Sequence, residues 1–261
     1  MEDKNGAVLW SVENGIGRIT LNRPERANAI GLAASRALAA AIDAVAAAAP
    51  KVVLITGNGP RFCAGGDIDE FVAASDRMQA LIDEILVPLH PAILRLANLP
   101  APVVTAVNGP LGGAGIGLAL CGDIVLAADT VKLRAGYSAI GLSPDAGASW
   151  WLSRRVGAAK AKELFLLNDV LSADDCLRLG LFSAVHPADR LAAEAEKIVQ
   201  RLAAGAAGSQ ARIKLLCDGA ERRDLAEHLA LEHQFIVASA GSADAAEGVR
   251  AFTEKRAPRF A

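Results

Sequence analysis

The sequence lacks most of the features that would commit it to a metal, a disulfide framework, a polyanion or a membrane. Its four cysteines, Cys63, Cys121, Cys176 and Cys217, lie far apart, with no CxxC and no histidine at ligand spacing. They read as reduced thiols. Surplus positive charge is missing too: a formal net charge of −2 gives no bulk pull toward nucleic acid or anionic lipid. The opening MEDKNGAVLW has neither the basic stretch nor the apolar stretch of a secretory signal, which predicts a cytoplasmic chain starting near Met1. The charge-free run over residues 96–122 is long enough to cross a bilayer. Pro100, Pro102, Pro110 and the glycines from Gly109 to Gly117 instead break it into strand, loop and buried helix. His186, His228 and His233 stand at no metal-binding spacing. Trp10, Trp150 and Trp151 read as core or interface residues.

What is present is apolar substance, 52% hydrophobic against 21% charged residues, enough for a large core. Alternation over Val8–Glu13, the Asn14-Gly15 pair and the run Ile16–Leu21 predict a β-hairpin with a two-residue turn. Residues 31–49 have helical spacing at Leu38, Ile42 and Val45, and Pro50 stops the pattern. Lys51–Thr56 and Pro102–Val107 are short apolar runs closed by glycine turns, which predicts buried strands, and Asp123–Ala127 has a similar character. A helix is expected near Phe71 to Leu96. Strands alternating with helices predict an α/β core over residues 1–195. Four helical segments without strand signals then predict an all-helical region over 196–261.

Two segments place glycines after an apolar strand, Arg61-Phe62-Cys63-Ala64-Gly65-Gly66-Asp67-Ile68 and Val107-Asn108-Gly109-Pro110-Leu111-Gly112-Gly113-Ala114-Gly115. Missing side chains let a ligand approach backbone N–H groups, and two amides converging on one oxygen make an oxyanion hole. Tight turns alone also explain such glycines. Dinucleotide binding is disfavoured, because Gly113, Gly115 and Gly117 give GxGxG with Leu118 in the place of the last fingerprint glycine. No GxxxxGK[ST] occurs either.

These loops, with Asn22-Arg23-Pro24 and Asn28-Ala29 before them and Gly141–Gly147 and Glu247–Arg256 after them, resemble the crotonase (enoyl-CoA hydratase/isomerase) superfamily in order and spacing over nearly the whole chain. The resemblance implies a spiral of ββα units with C-terminal helices that build a trimer or hexamer. It implies an acyl-CoA thioester substrate and no bound cofactor, coenzyme A being part of the substrate. By position, the oxyanion donors are the N–H groups of Gly66 and Ala114. Ala64, Asp67 and Ile68 lie along the coenzyme A, largely through backbone. Arg26 and Lys255 are candidates for its phosphates, or else ordinary surface charge.

The family's hydratases use two glutamates, and by local match this chain has Gly117 and Tyr137 there instead. Asp145 is the remaining carboxylate, open to two readings: an acid/base facing the substrate, or the N-cap of the following helix. His90 is open to catalysis or to packing. The leading expectation is double-bond isomerisation or a related rearrangement through Asp145. Enoyl-CoA hydration and acyl-CoA binding without turnover are the alternatives. Dehalogenation is a remote one, since the 4-chlorobenzoyl-CoA dehalogenases pair a histidine and an aspartate in the same places but have tryptophan at the position of Tyr137.

Overall fold

The computed structural model describes residues 2–3 and 6–260. The chain opens with β1 (Glu2–Asp3), β2 (Val8–Glu13) and β3 (Ile16–Leu21), which pair antiparallel. Asn14 and Gly15, between β2 and β3, both have positive φ (52° and 76°), as the predicted hairpin turn demands. Then follow α1 (Leu32–Ala47), β4 (Val52–Gly57), α2 (Ile68–Ala74) and α3 (Met78–Ala97). The single helix expected near Phe71–Leu96 is thus two, separated at Ser75, whose φ of 49° cannot continue a helix.

Next come β5 (Val103–Val107), β6 (Leu111–Gly112) and α4 (Ala114–Leu120), with β5 and α4 buried throughout. The charge-free run is therefore the centre of the core. Among the described residues no helix is long and apolar enough to cross a membrane. After these are β7 (Ile124–Ala128), β8 (Lys132–Arg134), α5 (Ala148–Leu167), β9 (Leu171–Ser172), α6 (Ala173–Arg178) and β10 (Ala184–His186). The chain closes with α7 (Leu191–Ala203), α8 (Ala207–Gly219), α9 (Leu225–Ala240) and α10 (Ala243–Thr253).

The large sheet has the order β1-β2-β3-β4-β5-β7-β10 and is parallel from β3 onward. A second layer is made of much shorter pieces. Ile30 bridges Gly66, Cys63 bridges Leu111, and β6 pairs with β8, all parallel, before β9 closes the edge antiparallel. Each piece but β9, which comes after α5, follows a large-sheet strand and precedes a helix. The chain therefore repeats strand, short strand, helix: β3 with Ile30 and α1, β4 with Cys63–Gly66 and α2–α3, β5 with β6 and α4, β7 with β8 and α5. This is the ββα spiral, with α/β layering as expected. Its repeat is geometric, since the sequence shows none.

Residue 195 falls inside α7, whose Leu191, Ala195 and Val199 are buried and which packs on β4, β5, β7 and β10. The chain leaves the sheet only after α7. Helix α8 returns to the core through Lys214, whose ammonium pairs with Asp123 at 2.9 Å. Helix α9 buries none of its residues and exposes Leu225, Leu229, Ile236 and Val237, while α10 exposes Val249 and Phe252.

Candidate active site

Register builds the site. Because Cys63 stands opposite Leu111 in a parallel bridge, the residues three further along each segment, Gly66 and Ala114, come out side by side where the segments run into their helices. The two loops are laced together by backbone bonds, Phe62 N–H to Pro110 O at 3.1 Å and Gly112 N–H to Cys63 O at 3.0 Å. Gly113 turns the chain into α4 with φ 50° and ψ −132°, and a Cβ there would sit 3.2 Å from the Gly65 Cα. That position needs glycine. Ala114 is the first residue of α4, so its N–H has no acceptor within the helix, and the helix dipole adds partial positive charge there. Among the described residues neither the Gly66 nor the Ala114 N–H donates to an acceptor. Both residues line one small cavity with Asp145.

That cavity adjoins a cleft of about 400 Å³. Ala64, Ile68 and Tyr137 line it, with Phe71 and Leu86 from α2 and α3. The Phe71 ring comes within 2.7 Å of where a Gly66 Cβ would stand, so it packs directly over the Gly66 backbone. Asp67 behaves differently from its neighbours. Its side chain is buried, caps α2 by accepting from Glu70 N–H, and pairs with Arg23 at 3.1 Å and Arg26 at 2.9 Å. Burial pushes its carboxyl up, but the Arg26 hydrogen bond and the other donors outweigh this and hold it below the usual range. Arg26 also pairs with Asp69 at 2.6 Å, so its charge is largely matched within the protein, and it does not line the cleft. Lys255 lies just past α10, exposed, away from the cleft of its own chain.

Asp145 lies on the loop between β8 and α5. The Tyr137 hydroxyl donates to its Oδ1 at 2.6 Å. The capping reading of Asp145 does not hold: the N-cap of α5 is Gly147, and Asp145 contributes its backbone carbonyl, accepting from Ala148 N–H at 2.8 Å. Two left-handed residues, Ala146 (φ 49°) and Gly147 (φ 77°), delay the helix start and carry the carboxyl away from it. Burial raises the Asp145 pKa, opposed by the Tyr137 hydrogen bond. The Tyr137 phenol is itself pushed up by burial and by the Asp145 charge, so it stays a donor. Beside them Cys63 is fully buried, its thiol pushed up to about 12 by desolvation, and stays protonated. His90, on α3, faces the cleft and accepts the Ala146 N–H at Nε2, 3.2 Å away.

A family model described as enoyl-CoA hydratase/isomerase matches residues 11–261. The chain belongs to that family. It is 38% identical over 97% of both chains to a 1,2-epoxyphenylacetyl-CoA isomerase of Escherichia coli. It is 36% identical, again over 97% of each, to a probable enoyl-CoA hydratase of Rhodobacter capsulatus. Among solved structures, an enoyl-CoA hydratase from Polaromonas superposes with a TM-score of 0.90 at 34% identity, covering 97% of this chain and 99% of that one.

Family membership sharpens the meaning of Gly117 and Tyr137, which stand where the resemblance puts the hydratase glutamates. A Cβ on Gly117 would lie 2.0 Å from the Ala146 carbonyl oxygen and 3.1 Å from Ala148 N. The backbone ahead of α5 therefore occupies the space a side chain at 117 would need. Tyr137 is spent on Asp145. Among the residues lining the cleft and the small cavity, Asp145 is the sole carboxylate. Sequence reasoning named Gly66, Ala114, Asp145, Tyr137 and His90 separately, but it missed the Tyr137–Asp145 pair, the His90–Ala146 bond and Phe71 over Gly66. Only the first had a signal, two polar residues on one short loop.

Proposed function

We propose that this enzyme moves a proton on the acyl group of an enoyl-CoA thioester, migrating a double bond or driving a related rearrangement, with Asp145 as acid and base. The observation that carries the reading is a single half-buried carboxylate sharing a cavity with two unpaired amides. In a 3-enoyl thioester the Asp145 carboxylate takes a proton from C2. The electron pair moves onto the thioester oxygen, where the Gly66 and Ala114 N–H groups stabilise the enolate. The same proton returns to C4, which leaves the double bond between C2 and C3. A raised carboxyl pKa brings Asp145 nearer to the operating pH, which suits a group that must both take and give a proton. Tyr137 holds Oδ1 and leaves Oδ2 without a side-chain donor among the described residues.

Hydration is the competing reading, and the name of the Rhodobacter relative favours it. It needs a second group to orient water, and the filled space at Gly117 and the engaged hydroxyl of Tyr137 both count against it. Incubation with crotonyl-CoA and, separately, with trans-3-hexenoyl-CoA, followed by NMR and mass spectrometry, separates the two. The expected result is double-bond migration in the second substrate and no 3-hydroxybutanoyl-CoA from the first. Rapid hydration of crotonyl-CoA would overturn the proposal.

The apolar residues exposed on α9 and α10 support a further part of the reading, that these helices bury their faces against other copies in a trimer or hexamer.

A further inference from the structure

We propose that His90 is a positioning residue: its Nε2 holds the Ala146 amide, and through it the left-handed turn that sets the Asp145 carboxyl in the cleft. The inference rests on the proton-transfer role of Asp145. Ala146 is only 1% exposed, so its N–H must find a partner inside the protein, and the His90 ring supplies it at 3.2 Å. The turn needs holding. Ala146 has φ 49°, a conformation that costs a non-glycine residue, and its carbonyl is pressed against Gly117. With the amide held on one side and the carbonyl abutting α4 on the other, the peptide planes around Ala146 are fixed, and so is the direction in which Asp145 leaves the chain.

Three features speak against His90 as the base itself. Its Nε2 is occupied as an acceptor, so the lone pair that would take a substrate proton is already engaged. No carboxylate hydrogen-bonds to the ring to orient it for proton transfer, among the described residues. Its side chain is exposed, open to the cleft on one side and on the other to a hollow lined by Ile93, Trp150, Trp151, Asp218 and Arg222, so packing alone does not call for a histidine there. Pro88 and Pro91 bracket it on α3 and hold that stretch of backbone stiff.

Glutamine places its Oε1 as many bonds from Cα as the Nε2 of histidine, so His90→Gln keeps an acceptor for Ala146 while removing the imidazole. His90→Leu removes the acceptor. Two readouts are used: exchange of the Ala146 amide by NMR, and deuterium uptake at C2 of butanoyl-CoA in D2O. The expected result for His90→Leu is amide exchange roughly tenfold faster or more. C2 exchange should fall roughly tenfold to a hundredfold in kcat with KM little changed, as for a misaimed catalytic group. His90→Gln should resemble the wild type in both. If the leucine variant does not fold, His90→Asn replaces it, since its carbonyl ends one bond short. A glutamine variant as inactive as the leucine variant overturns the proposal, because imidazole chemistry is then needed. So does a leucine variant with unchanged amide exchange and turnover. Asp145→Asn is run alongside. If it retains C2 exchange, the acid/base reading falls, while the Ala146 amide still decides the role of His90.

Discussion

The Tyr137 hydroxyl donates to the Asp145 carboxylate across 2.6 Å, with the tyrosine only 7% exposed. Burial makes the carboxylate more basic, and the hydrogen bond from the phenol works against that shift. Each residue accounts for the position of the other: Tyr137 would be a buried hydroxyl without a partner, and Asp145 a half-buried charge without its donor.

Asp145→Asn is therefore expected to separate activity from stability. General acid–base catalysis is worth about 10²–10⁴-fold, so turnover of trans-3-hexenoyl-CoA should fall at least roughly a hundredfold. A carboxyl whose pKa is raised on folding binds its proton more tightly in the native state. It withdraws stability as pH climbs from the unfolded aspartate value of about 3.9 through the higher native value. At pH 7 the asparagine variant should melt at the same temperature or higher, and its advantage should vanish on acidification. Calorimetry across pH 4 to 8 gives the comparison, and a markedly lower melting temperature at pH 7 would contradict it.

Tyr137→Phe removes the hydrogen bond that favours the charged carboxylate, so Asp145 should become harder to ionise. The acid limb of kcat/KM is expected to move to higher pH. An unchanged limb with unchanged kcat would mean that the phenol serves packing alone. Its ring, tilted at 51° to Phe165 with centroids 6.1 Å apart, is retained in the variant, so the loss of stability should be confined to that of the missing hydrogen bond.

Gly117→Glu, the substitution that would nominally restore a hydratase carboxylate, is expected to fail. Its Cβ has no room beside the Ala146 carbonyl, and overpacking of this kind costs roughly 1–3 kcal/mol or more. The variant should melt earlier and should not hydrate crotonyl-CoA. A stable variant that gains hydration would show that the loop at Ala146 yields easily.

In solution the chain should form trimers or hexamers, measured by multi-angle light scattering at micromolar concentration. Paired substitutions on the exposed apolar positions, Ile236→Glu with Phe252→Glu, should release monomers while sparing the spiral core. A wild-type monomer would leave the apolar faces of α9 and α10 unexplained.

Much of the large sheet was legible because its signals are local. Asn14-Gly15 fixes a hairpin, β-branched runs closed by glycine mark β4 and β5, and Pro50 ends α1. The second layer was not legible, since β6 and β9 are two residues each and carry no periodicity. It is nevertheless the layer that places Gly66 beside Ala114. At the site, residue types could be named but directions could not. Ser143-Pro144-Asp145 looks like a helix start, and only the two left-handed residues after it show that the carboxyl points elsewhere. The break at Ser75 had no glycine or proline to announce it.

The spiral assigns one chemical component to each of three consecutive turns: Gly66 to the turn of β4, Ala114 to that of β5 and Asp145 to that of β7. No contiguous stretch of chain holds enough of the site to act alone. During synthesis the first amide emerges well before the second, and the carboxylate last, so on the proposed roles a partly folded chain should shape a binding surface before it can acidify a thioester. Competence arrives only when the third turn closes on the other two. Recovery of activity during refolding should therefore follow the slowest of the three turns to dock, whereas secondary structure should recover earlier.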